Sequence, residues 1–226
     1  MLQKTKSALA EKLSKLKKRI FYRDELAAQI VRMSGKLTLE EWKKAGMPAP
    51  PPAEYKQGVL KAFQKQFGIT YLIETGTFTG DMVEAMKNNF TKIDSIEIDK
   101  RLFNAAVKKF KKDKGVTILR GDSKVLLPKL INEKTVACLY WLDGHYSGGI
   151  TGKGEKITPV IDELNAILSN YKNDVILIDD ARLFNGQKDY PTINEIKKRV
   201  SDFDKSLNVD VVQDIIRVYK GEHFSE

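Results

Sequence analysis

Leu9, Leu13, Leu16 and Ile20 recur at steps of four, three and four, the spacing that lines one face of an α-helix, and lysines fill the opposite side. Residues 1–45 therefore read as a basic amphipathic helical extension. Its apolar face would pack on the rest of the chain or on a second copy in a homodimer, with peripheral docking to an anionic membrane as the alternative. The prolines of 46–54 (Gly46-Met47-Pro48-Ala49-Pro50-Pro51-Pro52) lack amide donors and restrict the residue before each, so this stretch is a linker. A helix is predicted over 55–67. From Ile69 the pattern changes to short β-branched runs alternating with helix-length amphipathic segments, with strands predicted at 71–74, 93–98, 116–119, 136–142 and 175–179. Such alternation builds βαβ units and a parallel sheet. Runs at 209–212 and 215–219 are separated only by Gln213-Asp214, a link that suits an antiparallel hairpin. The expected fold is α/β: a doubly wound, mostly parallel seven-stranded sheet with an antiparallel C-terminal hairpin strand, over 55–226.

Composition narrows the function classes. A length of 226 residues accommodates one full α/β domain plus an appendage. The net charge of +9 suggests nucleic acid until its distribution is read. Residues 1–32 hold nine Lys or Arg against three acids, leaving only about +3 for everything else. A basic tail on a nearly balanced domain is only weak evidence for a nucleic-acid substrate, and a nucleic-acid partner is not expected. Cys138 is the lone cysteine, which excludes an intrachain disulfide and fits a reducing compartment. No apolar run reaches the roughly 18 residues that cross a bilayer, and no secretion signal opens the chain, so a cytoplasmic location is expected.

Candidate chemistry sits where the predicted strands end. Glu74-Thr75-Gly76-Thr77-Phe78-Thr79-Gly80 follows the first strand and opens a helix, with Gly76 and Gly80 allowing a tight turn against a ligand. The dinucleotide pattern G-x-G-x-x-G is absent, which counts against NAD or FAD. Glu97, ending the second strand, stands where a carboxylate can accept both ribose hydroxyls, with Asp99 as the second choice. Gly121-Asp122-Ser123 follows the third strand; its acid either contacts a ligand or caps the next helix.

Two further strands deliver acids. Trp141-Leu142-Asp143-Gly144-His145 ends the fourth and Ile178-Asp179-Asp180 the fifth, so Asp143, Asp179 and Asp180 are aimed at one place. Clustered carboxylates repel, and a divalent cation such as Mg2+ would remove the conflict. His145 is a candidate base for an acceptor hydroxyl, or else a hydrogen-bonded loop residue, and Asp143 could take the base role if no metal is present. The glycines of 148–154 suggest a mobile lid over the acceptor.

The E-x-G-x-x-x-G turn resembles motif I of class I S-adenosylmethionine (SAM) methyltransferases. Blocks W-L-D-G-H-Y-S-G-G and I-L-I-D-D-A-R, with a Trp and Pro-Pro-Pro lead-in, resemble a group of bacterial SAM-dependent methyltransferase-like proteins from Trp42 to Tyr219. The resemblance implies SAM as cofactor, held by Glu74, Gly76, Thr77, Gly80, Glu97, Asp122, Ser123 and Asp143, with Asp122 and the backbone beside it contacting adenine. The acid pattern is also similar to metal-dependent O-methyltransferases, including the macrocin type that methylate sugars. The expected activity is methylation of a hydroxyl on a small molecule or glycan, with Asp143 and His145 in catalysis. The alternative is a non-catalytic SAM-fold protein that docks to a membrane or partner through its basic helix.

Overall fold

A computed structural model describes residues 37–144 and 158–224. The amphipathic helix expected from Leu9 to Ile20, His145 and the glycine-rich loop at 148–154 lie outside the described residues. The chain divides into two units, 1–52 and 53–226, so the break falls at the end of the proline run.

Within the first unit, α1 (Leu39–Lys44) starts at a reciprocal cap: the Glu41 amide donates to Thr38 Oγ1 (3.3 Å) and the Thr38 amide to Glu41 Oε2 (2.9 Å). The Trp42 indole donates to the Pro48 carbonyl at 2.8 Å, tying the helix to the prolines that follow.

The second unit runs α2 (Ala53–Phe67), β1 (Tyr71–Thr75), α3 (Asp81–Met86), β2 (Lys92–Glu97), α4 (Lys100–Phe110), β3 (Val116–Arg120), α5 (Ser123–Glu133), β4 (Leu139–Leu142), α6 (Val160–Ser169), β5 (Val175–Ile178), a 3-10 turn (Ala181–Leu183), α7 (Ile193–Phe203), β6 (Leu207–Val212) and β7 (Ile215–Lys220). One sheet of seven strands results, in the order β3-β2-β1-β4-β5-β7-β6. The first five strands pair in parallel, and β7 lies antiparallel to both β5 and β6. This is the architecture the alternating pattern predicts. Gln213 and Asp214 both take positive φ (46° and 67°), the backbone that a two-residue hairpin needs to match strand twist.

Successive strand residues point to opposite faces, and both faces are covered. Leu72, Trp141 and Leu177 face a core completed by Leu60 and Phe63 of α2, Met86 of α3 and Phe110 of α4. Ile73, Tyr140 and Ile176 face the other core, closed by Leu127 of α5, Leu164 and Ile167 of α6 and Ile196 of α7. The fourth strand is shorter than expected: it begins at Leu139, not at residue 136. The Asp174 carboxylate accounts for this, because it accepts the Cys138 amide at 2.7 Å and pairs with the buried Lys134 ammonium. A side chain thus satisfies backbone that would otherwise pair with a neighbouring strand, and Val136 is left exposed.

Candidate active site

The period of two carries directly into the site. Glu74 continues the face of Leu72, Asp143 that of Trp141, and Asp179 that of Leu177. The Asp143 amide donates to the Thr75 carbonyl (3.1 Å) and the Asp179 amide to Leu142 (3.1 Å), so the parallel ladder extends past the strand ends and fixes where both acids emerge. All three therefore turn toward the layer that contains α2.

Beyond the end of β1, the Gly76 and Thr77 amides donate to the Ile96 carbonyl (2.9 and 3.2 Å), clamping the turn after β1 to β2. Gly76 has φ 88°, and a Cβ there would collide with the Asp143 carbonyl, so only glycine fits. Glu97 is buried and accepts the Phe78 and Asp99 amides, each at 2.8 Å. A carboxylate carries about four lone-pair sites, so two backbone donors hold it in place and leave acceptor capacity for a diol. Asp99, the second choice from sequence, is used as the α4 cap, accepting from Arg101 (2.8 Å) and Leu102 (3.1 Å). Asp122 also serves as a cap: its Oδ1 accepts the Lys124 amide at 2.9 Å at the start of α5. Ser123 follows it and is buried.

Glu74 is buried beneath the turn, where Ser95 Oγ donates to it and in turn meets Thr77 Oγ1 at 2.5 Å. Burial pushes its pKa up to about 8, with the nearby Asp143 and Glu97 adding and the Ser95 bond opposing. The carboxyl is thus largely protonated at neutral pH.

Beyond the ends of β4 and β5, carboxylate oxygens of Asp143, Asp179 and Asp180 all lie within 4.8 Å of one another, as the sequence pattern anticipated. Asp180 takes φ 58° and turns its amide onto Asp179 Oδ1 at 2.8 Å. Its own carboxylate receives Arg182 at 2.6 Å, and Arg182 also bonds Asp214. Sequence reading missed Lys56 of α2, whose Nζ bonds Asp179 Oδ2. Burial pushes the Lys56 ammonium toward losing its proton, but Asp179, Asp143 and Asp180 outweigh it and hold the pKa above the usual lysine value. The Asp179 pKa is also raised, by burial first and then by Asp143 and Asp180, against the pull of Lys56. A signal for Lys56 existed: it stands three and four residues before the buried Val59 and Leu60, on the stripe that faces the sheet.

Glu163 was missed as well. It falls between Val160 and Ile167 on the buried stripe of α6, and burial pushes its pKa up to about 7. Side-chain interactions with Ser123 and Thr75 oppose that shift. A crevice lined by Glu163, Gly144, Thr158, Phe184, Tyr190 and Asp179 joins this carboxyl to the acid cluster over the ends of β4 and β5.

No family model and no curated protein matches the chain. Solved structures do. A methyltransferase of Podospora anserina with S-adenosylhomocysteine (SAH) bound is 15% identical, covering 89% of this chain and 96% of its own at a TM-score of 0.53. The O-methyltransferase TomG of Streptomyces achromogenes, in complex with SAM, is 12% identical over 81% of this chain and 87% of its own, TM-score 0.54. An O-methyltransferase of Bacillus cereus, in complex with SAH, is 14% identical over 80% of this chain and 88% of its own, TM-score 0.55. The chain has the class I methyltransferase fold.

Proposed function

We propose that this chain is a SAM-dependent methyltransferase that methylates a hydroxyl of a small molecule or sugar. One observation carries the reading: Glu97 is held by two backbone amides beside a glycine-only turn, while three more acids cluster at the adjacent strand ends. Open sheets bind ligands along that edge. The cradle that a Cβ at Gly76 would fill suits the close approach of a nucleoside's amino-acid tail. Three structural neighbours solved with SAM or SAH bound support the same ligand.

SAM would supply an electrophilic methyl group, which passes to the acceptor oxygen as the carbon–sulfur bond breaks and its electron pair returns to sulfur. Glu97 would hold the ribose diol, and Asp122 with the backbone at Ser123 the adenine. Glu74, Gly76, Thr77 and Gly80 would surround the amino-acid tail, with a neutral Glu74 carboxyl able to donate one hydrogen bond. The acceptor would enter over β4 and β5, along the crevice between Glu163 and Asp179. Its hydroxyl proton would pass to His145 or to an ionised Asp143. Asp143, Asp179 and Asp180 also have the oxygen chemistry and spacing to hold a divalent cation, which would lower the hydroxyl pKa.

Calorimetry tests the cofactor. SAH and SAM should bind the purified chain and NAD should not, and Glu97→Ala should weaken SAH at least tenfold, about 1.4 kcal/mol. NAD binding in place of SAH would sink the reading. Undiminished SAH affinity without turnover of any hydroxyl acceptor would instead favour a SAM-binding protein that acts through its basic N-terminal segment.

A further inference from the structure

A lysine and a metal ion compete for the same carboxylate oxygens. In this fold the lysine is built in. Lys56 rides on α2 one turn ahead of Val59 and Leu60 and two turns ahead of Phe63, all buried against the sheet, so packing of the whole helix fixes where its ammonium arrives. That ammonium bonds Asp179, whose side chain is 2% exposed while that of Lys56 is 17% exposed, so little water screens the pair. Asp143 and Asp180 add their charge to the same ammonium. Arg182 supports Asp180 from the other side but is shared with Asp214. Lys56 is thus the cation common to all three acids among the described residues.

We propose that Lys56 is the resident cation of the acid cluster: it keeps Asp143, Asp179 and Asp180 assembled without a metal, and a divalent ion must compete with it for Asp179. This rests on the methyltransferase reading for its purpose, since a fixed positive charge beside the acceptor path would steady a developing alkoxide as an ion would. Two cations held against one buried carboxylate repel each other strongly, so the native site should discriminate against metals that its three acids would otherwise take.

The test titrates MnCl2 into the full chain by calorimetry and follows SAH binding in parallel. Wild type should bind Mn2+ weakly, Lys56→Gln at least tenfold more tightly, and the double variant Lys56→Gln/Asp179→Asn no better than wild type. Lys56→Arg keeps the charge on a similar stem and should stay a weak binder, which separates charge from packing if Lys56→Gln is poorly folded. Equal Mn2+ affinity in wild type and Lys56→Gln overturns the proposal, as does weaker binding in Lys56→Gln. Absence of Mn2+ binding from every variant, with SAH binding intact, would remove the cation site while leaving the methyltransferase reading standing. Loss of SAH binding in wild type itself would sink that reading separately.

Discussion

Glu74 and Glu163 are two glutamates that burial pushes up to about 8 and about 7. An unfolded glutamate releases its proton near pH 4.5, while each folded one keeps it two or more units longer. Between those values the native state binds more protons than the unfolded chain, so stability falls as pH rises. The loss begins near the unfolded pKa and is complete above about pH 8. Each pKa unit is worth about 1.4 kcal/mol. Glu74→Gln and Glu163→Gln replace a neutral acid by a neutral amide, so both variants should flatten urea-melt stability between pH 5 and pH 8. A wild-type stability that rises over that range would show that these carboxyls are ionised in the fold. Asp179 at the cluster shifts the same way, with Lys56 opposing burial and the neighbouring acids.

At the level of elements, the turn after β1 has the least freedom. Gly76→Ala adds a methyl group against the Asp143 carbonyl at a left-handed φ, with backbone strain alone of about 1–2 kcal/mol. SAH affinity should fall at least tenfold and the melting temperature should drop; an unchanged affinity would show that the turn does not shape the ligand site. The sheet, its hairpin and the convergence of Asp143, Asp179 and Asp180 were legible, because alternation in strands and turn chemistry are local signals. Glu97 could be preferred to Asp99 from its place at the strand end, and the α4 cap now shows why. Lys56 and Glu163 were not read, since each looks like an ordinary charged residue on an amphipathic helix until the stripe it shares with buried neighbours is traced. The early end of β4 was hidden too, because it depends on Asp174, more than thirty residues away in the chain.

Charge is distributed over the whole molecule in a way that the net total hides. Beyond the basic N-terminal segment, residues 100–129 hold ten Lys or Arg and only two acids. They form α4, the edge strand β3 and most of α5, and Lys114 before that strand and Arg120 at its end are exposed. Lysines and arginines along an edge discourage pairing with another chain, which suits an open sheet with unpaired amides at its margin.

Strand order also sets a schedule for synthesis. β1 emerges before the other strands yet ends in the middle, hydrogen-bonded to β2 on one side and to β4 on the other. Until Leu139–Leu142 has been made, the wholly buried Tyr71–Thr75 segment has one flank of unpaired backbone open, and unlike the margin at β3 it carries no lysine or arginine to discourage pairing. A nascent chain halted after residue 133 should therefore be sticky, and in a stalled-ribosome or truncation series solubility should recover only when β4 and β5 are included. Soluble, monomeric three-strand fragments would contradict this. Asp143, Asp179 and Asp180 arrive with those same late strands, so no half-made chain can assemble the acid cluster.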